Sequence, residues 1–274
     1  MKKTRILIMV SSILFLLSAS ALQARTIRIV TPYLGALTNT YTDEEYNLDL
    51  DDTALLKGLY LQWINTEQFQ INFFLYQSSN VNYSNILGFH FLFDYYFDVQ
   101  ENQKNLIGLG TEYIGINMDA GSNFALLTDF TLENDVYAPF VRAGRYFYFG
   151  SPERVRSYFL PWFGLEYDIV RGDVSFSITN PSPPPPTFGD VKEEIKEEHF
   201  YGLVGLKFKT VIYHFIDIEL KSSFAFNDDE ILTRLAAMAN LYLGQHWGLS
   251  YRFLYTESIS GSNMYNVGGV AILF

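Results

Sequence analysis

The sequence predicts an all-β fold, a transmembrane antiparallel up-and-down β-barrel. Three observations predict it. Along most of the chain, large apolar residues recur at every second position, which is the period of a β-strand. Aromatic residues form 17% of the chain, with 24 Phe and 20 Tyr, and surfaces that face lipid and its interfaces are rich in them. Beyond the N-terminal segment, no apolar run reaches the roughly 18 residues that a membrane helix needs.

The alternation is clearest in two neighbouring segments, Phe69–Gln77 and Leu87–Phe97. In each segment one face is apolar and the other is mixed, which suits lipid outside and water or packed polar groups inside. A helix would distribute the same residues around its circumference. In the second segment the apolar face comprises Leu87, Phe89, Phe91, Phe93, Tyr95 and Phe97, and the mixed face comprises Gly88, His90, Leu92, Asp94 and Tyr96.

About fourteen such strands can be assigned, and twelve, or eight to ten with long arms, are the alternatives. Most have a length close to the roughly 9–11 residues with which a tilted strand crosses the hydrocarbon. Tight turns are predicted at 65–67, 133–135, 170–172 and 244–246, and long outer loops near 38–52 and 181–198. The fourteen strands are 26–37, 53–64, 68–77, 85–97, 105–118, 123–132, 136–149, 157–169, 173–180, 199–210, 214–226, 231–243, 247–257 and 264–274.

The N-terminus, residues 1–24, has the composition of a secretory signal peptide. Lys2, Lys3 and Arg5 form a positive region, and Ile6–Leu17 is an apolar core that is short for a membrane span. Small residues follow, so cleavage is predicted after Ala21 or after Ala24. Residues 25–274 are then expected to form a single barrel domain.

The C-terminal stretch Asn263–Phe274 is apolar and ends on an aromatic residue. Phe274, Ile272 and Val270 alternate along it. This end resembles the terminal signature of bacterial outer-membrane β-barrel proteins, and the signal segment and strand pattern resemble the same class, with no narrower family indicated. The resemblance implies an outer-membrane location among its lipids, and it implies that the barrel assembly machinery reads these three residues.

Composition excludes several functions. The formal charge of −11 and the isoelectric point near 4.8 provide no basic face for phosphate groups, so nucleic acid is not an expected partner. Cysteine is absent, which excludes disulfides, thiol catalysis and lipidation of an N-terminal cysteine.

Acidic residues cluster in the predicted outer connections. Such a rim would concentrate cations at a channel mouth, and its carboxylates could bind divalent cations shared with surface lipids. A solvated loop whose charge aids solubility is the alternative. No specific metal site is predicted. The rim residues are Asp43, Glu44, Glu45, Asp49, Asp51, Asp52, Asp228, Asp229 and Glu230.

The predicted inward faces carry acids and bases in equal number. A balanced set indicates either a wet channel or a plug of salt bridges, and the strand count decides between them, since about eight strands can be filled by side chains. Trp63, Trp162 and Trp247 fall near predicted strand ends, as in an interfacial aromatic belt. The lumen-lining candidates are Asp94, Glu112, Glu166, Asp168, Asp217, Glu219, Arg142, Lys207, Lys209, Lys221, Arg234 and Arg252.

The sequence therefore predicts a small porin-like channel for passive diffusion of ions or small polar solutes. A structural or surface-interaction barrel with a plugged lumen is the alternative. The four histidines, His90, His199, His214 and His246, are scattered, and no serine partner is defined for any of them. No catalytic residue and no cofactor are predicted, an outer-membrane lipid-modifying enzyme being the least favoured reading, and the oligomeric state is left open.

Overall fold

The described residues of the protein form a closed barrel of twelve antiparallel strands, each paired with its neighbours in sequence and the first with the last. The computed structural model describes residues 26–43, 48–65, 68–81, 83–121, 127–151, 154–180, 187–228, 230–258 and 261–274. The strands are β1 (Thr26–Asp43), β2 (Leu48–Asn65), β3 (Phe69–Ser78), β4 (Ser84–Phe97), β5 (Gln103–Gly121), β6 (Leu127–Gly150), β7 (Val155–Asn180), β8 (Thr187–Ile212), β9 (Ile216–Phe226), β10 (Ile231–Tyr242), β11 (Trp247–Ser258) and β12 (Gly261–Leu273).

The C-terminal strand closes the barrel, as the sequence predicts. β12 pairs antiparallel with β1, from Ile29 opposite Leu273 to Tyr41 opposite Gly261. The backbone N–H of Phe274 donates to the carbonyl of Arg28 at 3.0 Å, so pairing continues to the last residue. Closure leaves no strand edge around the membrane-spanning belt, which is the condition for a sheet in hydrocarbon.

The all-β barrel prediction is confirmed, with the strand count at its alternative value of twelve. The turns predicted at 133–135 and 170–172 lie inside β6 and β7, where these segments pair with each other, Asp135 opposite Arg171 and Asn134 opposite Gly172. Polar residues suggested turns there, but a strand that has left the hydrocarbon can carry polar groups on both faces. The four predicted strands 123–132, 136–149, 157–169 and 173–180 are therefore two.

The barrel has two different ends. One, here called the turn end, holds the N-terminus of β1, the end of β12 and the even-to-odd connections, such as 213–215 and 243–246. The opposite end, here called the loop end, holds the odd-to-even connections. The predicted loops near 38–52 and 181–198 lie at the loop end but are largely strand, because β1 and β2 stay paired to Asp43 and Leu48, and β7 and β8 to Asn180 and Thr187.

One wall of the barrel is much taller than the other. β6, β7 and β8 have 24, 26 and 26 residues, whereas β9 to β12 have 11 to 13. A 26-residue strand spans roughly 85 Å, far more than the ~30 Å of hydrocarbon even when it is tilted. Residues 127–137, 168–180 and 187–201 of these strands therefore stand beyond the membrane, and they are called the outer sheet below.

Side chains alternate between lipid and lumen along each strand. Outward residues are apolar and exposed, for example Phe163 (68%), Val141 (53%) and Leu109 (51%). Inward residues include buried charged groups, so the pattern matches a membrane barrel. Trp162 departs from the predicted belt, because its position in β7 turns it inward, where it is 5% exposed. No helix in the described ranges is long and apolar enough to cross a membrane.

The N-terminal segment of residues 1–24, with the predicted cleavage after Ala21 or Ala24, lies outside the described residues.

Candidate functional site in the barrel lumen

The lumen has an apolar side and a charged side, and the charged side also holds a second cluster of buried apolar residues. On β1 to β4 and β12, an inner cluster packs Tyr33, Leu37, Leu56, Tyr76 and Val267, which are all nearly inaccessible to solvent. The charged residues project from β4 to β11. The lumen is therefore not a uniform aqueous tube, and its free space lies between the two sides.

Two arginines bridge strands that are not neighbours. Arg142 of β6 reaches Asp94 of β4 across β5, with Nη2 donating to Oδ2 at 2.6 Å and Nε to Oδ1 at 3.1 Å. Gly108 of β5 lies between them, and a Cβ there would collide with the Asp94 carboxylate. Arg234 of β10 reaches Glu166 of β7, with Nη1 donating to Oε2 at 2.7 Å. Both are bidentate pairs, the strongest arginine–carboxylate geometry.

Two lysines pair across neighbouring strands. Lys207 Nζ of β8 lies 2.9 Å from Glu219 Oε2 of β9, and Lys209 Nζ lies 2.6 Å from Asp217 Oδ2. Lys209 and Asp217 are closer to the turn end, since Asp217 is the second residue of β9. These pairs are nearly buried, so each ion depends on its partner to offset the cost of leaving water.

A cavity of about 180 Å³ lies midway along the strands. Eight of the predicted lumen residues line it. Its remaining wall is mainly apolar and includes the rings of Tyr60, Phe74, Phe140, Trp162 and Tyr265. The eight are Glu112, Arg142, Glu166, Lys207, Glu219, Lys221, Arg234 and Arg252.

Three charged groups at this cavity lie outside the salt bridges found among the described residues. Lys221 Nζ lies 5.8 Å from the centre of the Trp162 ring, and no carboxylate is within 4.0 Å of it in that part of the chain. Glu112 has no cation at that distance there either. Arg252 donates from Nε to the Tyr33 hydroxyl at 2.9 Å and lies 3.3 Å from the Tyr60 ring centre.

The other candidates lie around the cavity without lining it. Asp94 stands behind Arg142, and Lys209 with Asp217 lies towards the turn end. Asp168 is on the inward face of β7, one inward position beyond Glu166 towards the loop end, and its Oδ1 is buried without a hydrogen-bond partner among the described groups.

Sequence reasoning missed a neutral polar layer that forms the turn-end wall of the cavity. Asn72 Oδ1 accepts hydrogen bonds from the Tyr60 hydroxyl at 2.7 Å, Gln62 Nε2 at 2.8 Å and Gln70 Nε2 at 3.0 Å. It also missed Lys104, whose Nζ lies 3.4 Å from the Tyr96 ring centre. The signal was available, because all these residues fall on the inward face of the same alternation. The amide residues were left out because only charged side chains were considered. Lys104 was left out because the predicted strand begins at residue 105.

The predicted acidic rim lies at the loop end of the barrel. Asp51 and Asp52 are exposed on β2, and Asp228 is exposed between β9 and β10. Glu230 accepts a hydrogen bond from the Tyr201 hydroxyl. Asp43 is the last residue of β1 and Asp49 is the second residue of β2, and both are paired. Glu44, Glu45 and Asp229 lie outside the described residues. No group of three or more metal-ligating side chains is found within the described ranges.

The predicted assembly residues lie on the outer surface of β12. Val270 is 45% exposed, Ile272 38% and Phe274 72%. They form an apolar row that faces lipid at the turn end, next to β1.

The chain is similar to several solved structures, and the first of them supports the fold. The translocator domain of the autotransporter NalP from Neisseria meningitidis aligns over 100% of this chain and 98% of its own, with 15% identity and a TM-score of 0.51. The Pseudomonas putida toluene transporter TodX aligns over 92% and 89%, with 6% identity and a TM-score of 0.46. The β-domain of the Bordetella autotransporter BrkA aligns over 89% and 98%, with 12% identity and a TM-score of 0.42.

No protein-family model matches the chain, and no curated protein matches it. The described residues nevertheless form a closed twelve-stranded barrel with an apolar exterior and an interior in which charged residues lie among apolar clusters. The chain therefore has the fold of a bacterial outer-membrane β-barrel protein, and this fold resembles that of the NalP translocator domain.

Proposed function

We propose that the protein is a narrow outer-membrane channel that passes small solutes through its mid-barrel cavity. The supporting observation is the cavity itself, which opens between the two sides of the lumen and is lined by Lys221, Glu112 and Arg252 outside the salt bridges. A barrel that served only as a plugged scaffold would gain stability by pairing or replacing such groups, because an uncompensated charge in a confined lumen is costly.

The packed lumen makes this a slow, selective path rather than a wide pore. The Asn72 layer closes the cavity towards the turn end, and the salt bridges of Arg142 and Arg234 narrow the lumen around it. A solute must therefore displace side chains one layer at a time. Single-channel conductance is expected to be small compared with that of porins of 16 to 18 strands, which enclose an aqueous channel.

Conductance in a planar lipid bilayer tests the proposal. Ala236 of β10 lines the cavity, whereas Ala239 of the same strand is exposed on the outer face. The wild type is expected to give stepwise currents, Ala236→Trp to abolish most of them by filling the cavity, and Ala239→Trp to leave them unchanged. Silence of the wild type at all voltages and salt concentrations would contradict the proposal.

A surface-interaction barrel is the second candidate, and the outer sheet favours it. β8 pairs with β9 only from Gly202 onwards, so its residues 187–201 pair on one side alone among the described strands. This stretch carries exposed charged residues, including Glu193, Glu194 and Glu197. A wild type that conducts nothing, with a partner bound in a manner that depends on 187–201, would establish this function instead.

A further inference from the structure

The mid-barrel cavity has the size and walls of a site for one aromatic ring. Its volume is about 180 Å³, and a cavity of ~150 Å³ is enough to bind benzene. Besides Phe253, six aromatic residues line it, and rings prefer edge-to-face or offset contacts with other rings. The six are Tyr60, Phe74, Tyr76, Phe140, Trp162 and Tyr265.

The side chains that line the cavity, counted with their partners in contact, leave one positive charge uncompensated. The carboxylate of Asp168 lies further towards the loop end and does not line the cavity. Arg142, Lys207 and Arg234 are each neutralised by a carboxylate in contact. Lys221 and Arg252 then face a single carboxylate, Glu112, which lies in contact with neither in the described part of the chain. A ligand with one negative charge restores neutrality, whereas a neutral or cationic ligand does not.

Two hydrogen-bond donors at the cavity are available to such a ligand. Arg252 is already held by the Tyr33 hydroxyl and the Tyr60 ring. Lys221 has no carboxylate partner among the described residues, and Trp162, 5.8 Å away, has a buried indole N–H without an acceptor there. Lys221 lies on β9 and Trp162 on β7, so both reach the cavity from its charged side, opposite Phe74 and Tyr265.

We propose that the cavity binds a small organic anion with a ring-sized apolar body, of the class of aromatic monocarboxylates. The carboxylate is held by Lys221 and the Trp162 indole N–H, and the ring lies against Phe74 and Tyr265. As a statement about transport this inference rests on the proposed channel function, while binding is measured apart from conduction.

Titration calorimetry on the purified, folded barrel in detergent tests the inference with benzoate as the probe. Benzyl alcohol and benzylammonium are neutral and cationic controls of similar size. Benzoate is expected to bind at least about tenfold more tightly than either control, since hydrogen bonds to a charged group are worth about 1.5–3 kcal/mol. Equal binding of benzyl alcohol, or no heat from benzoate, would overturn the inference.

Two matched substitutions locate the anion. Lys221→Met removes the positive charge at the cavity, whereas Lys57→Met makes the same change on the exposed outer face of β2. Benzoate affinity is expected to fall at least about tenfold in the first and to stay unchanged in the second. Unchanged affinity in a folded Lys221→Met barrel, judged by its β-type circular dichroism, refutes the assignment.

Two further variants test the binding site if Lys221→Met cannot be used. If Lys221→Met does not fold, Lys221→Arg is expected to retain benzoate binding and Ala236→Trp to abolish it. Binding that survives Ala236→Trp places the anion elsewhere and overturns the proposal. A barrel that binds benzoate as expected but conducts no current refutes the channel function alone, and the binding site stands.

Discussion

At the scale of single residues, the lumen is organised by side chains that reach over a neighbouring strand. Arg142 and Asp94 meet across β5 only because position 108 is a glycine. The same relation recurs at Gly205 of β8, where a Cβ would overlap the Trp162 indole. The inward glycines thus mark the places where a large side chain from the next strand lies flat on the wall.

Removing one partner of the Arg142–Asp94 pair should lower the free energy of unfolding more than removing both partners. Asp94→Leu leaves a buried guanidinium unpaired and is expected to lower the free energy of unfolding by about 3–5 kcal/mol. The double variant Asp94→Leu/Arg142→Met removes both charges and is expected to recover most of that loss. Urea unfolding of the barrel in lipid vesicles measures both, and a double variant no more stable than the single one would contradict this account.

Filling the space beside Trp162 should strain the lumen wall. Gly205→Val is expected to destabilise the barrel by about 1–3 kcal/mol, because the rigid indole has to move. Gly268 of β12 is the control, since a Cβ there would have nothing within 4 Å. Gly268→Val should therefore be tolerated. The two are compared by the same unfolding experiment, and equal losses would show that loss of strand glycine, rather than contact with Trp162, is responsible.

At the scale of strands, most of the elements are predicted by the alternation of apolar and polar residues. β3 and β4 were predicted nearly to the residue, because apolar and mixed faces separate cleanly over Phe69–Gln77 and Leu87–Phe97. The prediction divides β6 and β7 in two each, because Glu133–Asp135 and Val170–Gly172 contain residues that commonly form turns. Local sequence does not indicate that these two segments lie opposite each other and complete a ladder.

The lumen site was predictable only in part, for a related reason. The alternation along a strand indicates which of its residues face the lumen, and on this basis the sequence predicts Glu112 and Lys221 as lumen residues. Which of them pair depends on which strands face each other across the barrel. Arg234 and Glu166 are 68 residues apart and three strands apart around the ring, and no sequence pattern encodes that contact.

The terminal strand gives a prediction about assembly. Phe274→Ala is expected to reduce the amount of folded barrel in the outer membrane several-fold, because the outward row that ends the chain is then incomplete. Phe163→Ala removes a phenylalanine of similar exposure (68% against 72%) from β7 and should leave assembly unaffected. Outer-membrane fractions compared by heat-dependent gel mobility give the measurement. Equal effects would mean that apolar surface matters and the terminal position does not.

At the scale of the whole molecule, the loop end is acidic and the lumen is nearly balanced. The proposed channel should therefore prefer cations at its mouth, through local concentration rather than through binding. Asp51→Asn/Asp52→Asn removes two exposed rim charges and is expected to lower the cation preference.

Reversal potentials under a salt gradient measure this preference. The difference between variant and wild type should shrink as ionic strength rises, because exposed charges are screened beyond ~8–10 Å near physiological salt. A wild-type preference for anions at low salt would contradict the role given to the rim and would point to Lys221 and Arg252 as the dominant charges.

The unequal heights of the barrel wall have a consequence for how molecules reach the lumen. β6 to β8 rise well beyond the hydrocarbon, while β9 to β12 end near it. The entrance is therefore shielded on one flank and open on the other. If the proposed channel function holds, a diffusing solute should arrive sideways, over the low rim formed by β9 to β12, and should meet Asp228 before it meets the lumen. Approach to this barrel is directional, although the barrel itself is closed and continuous.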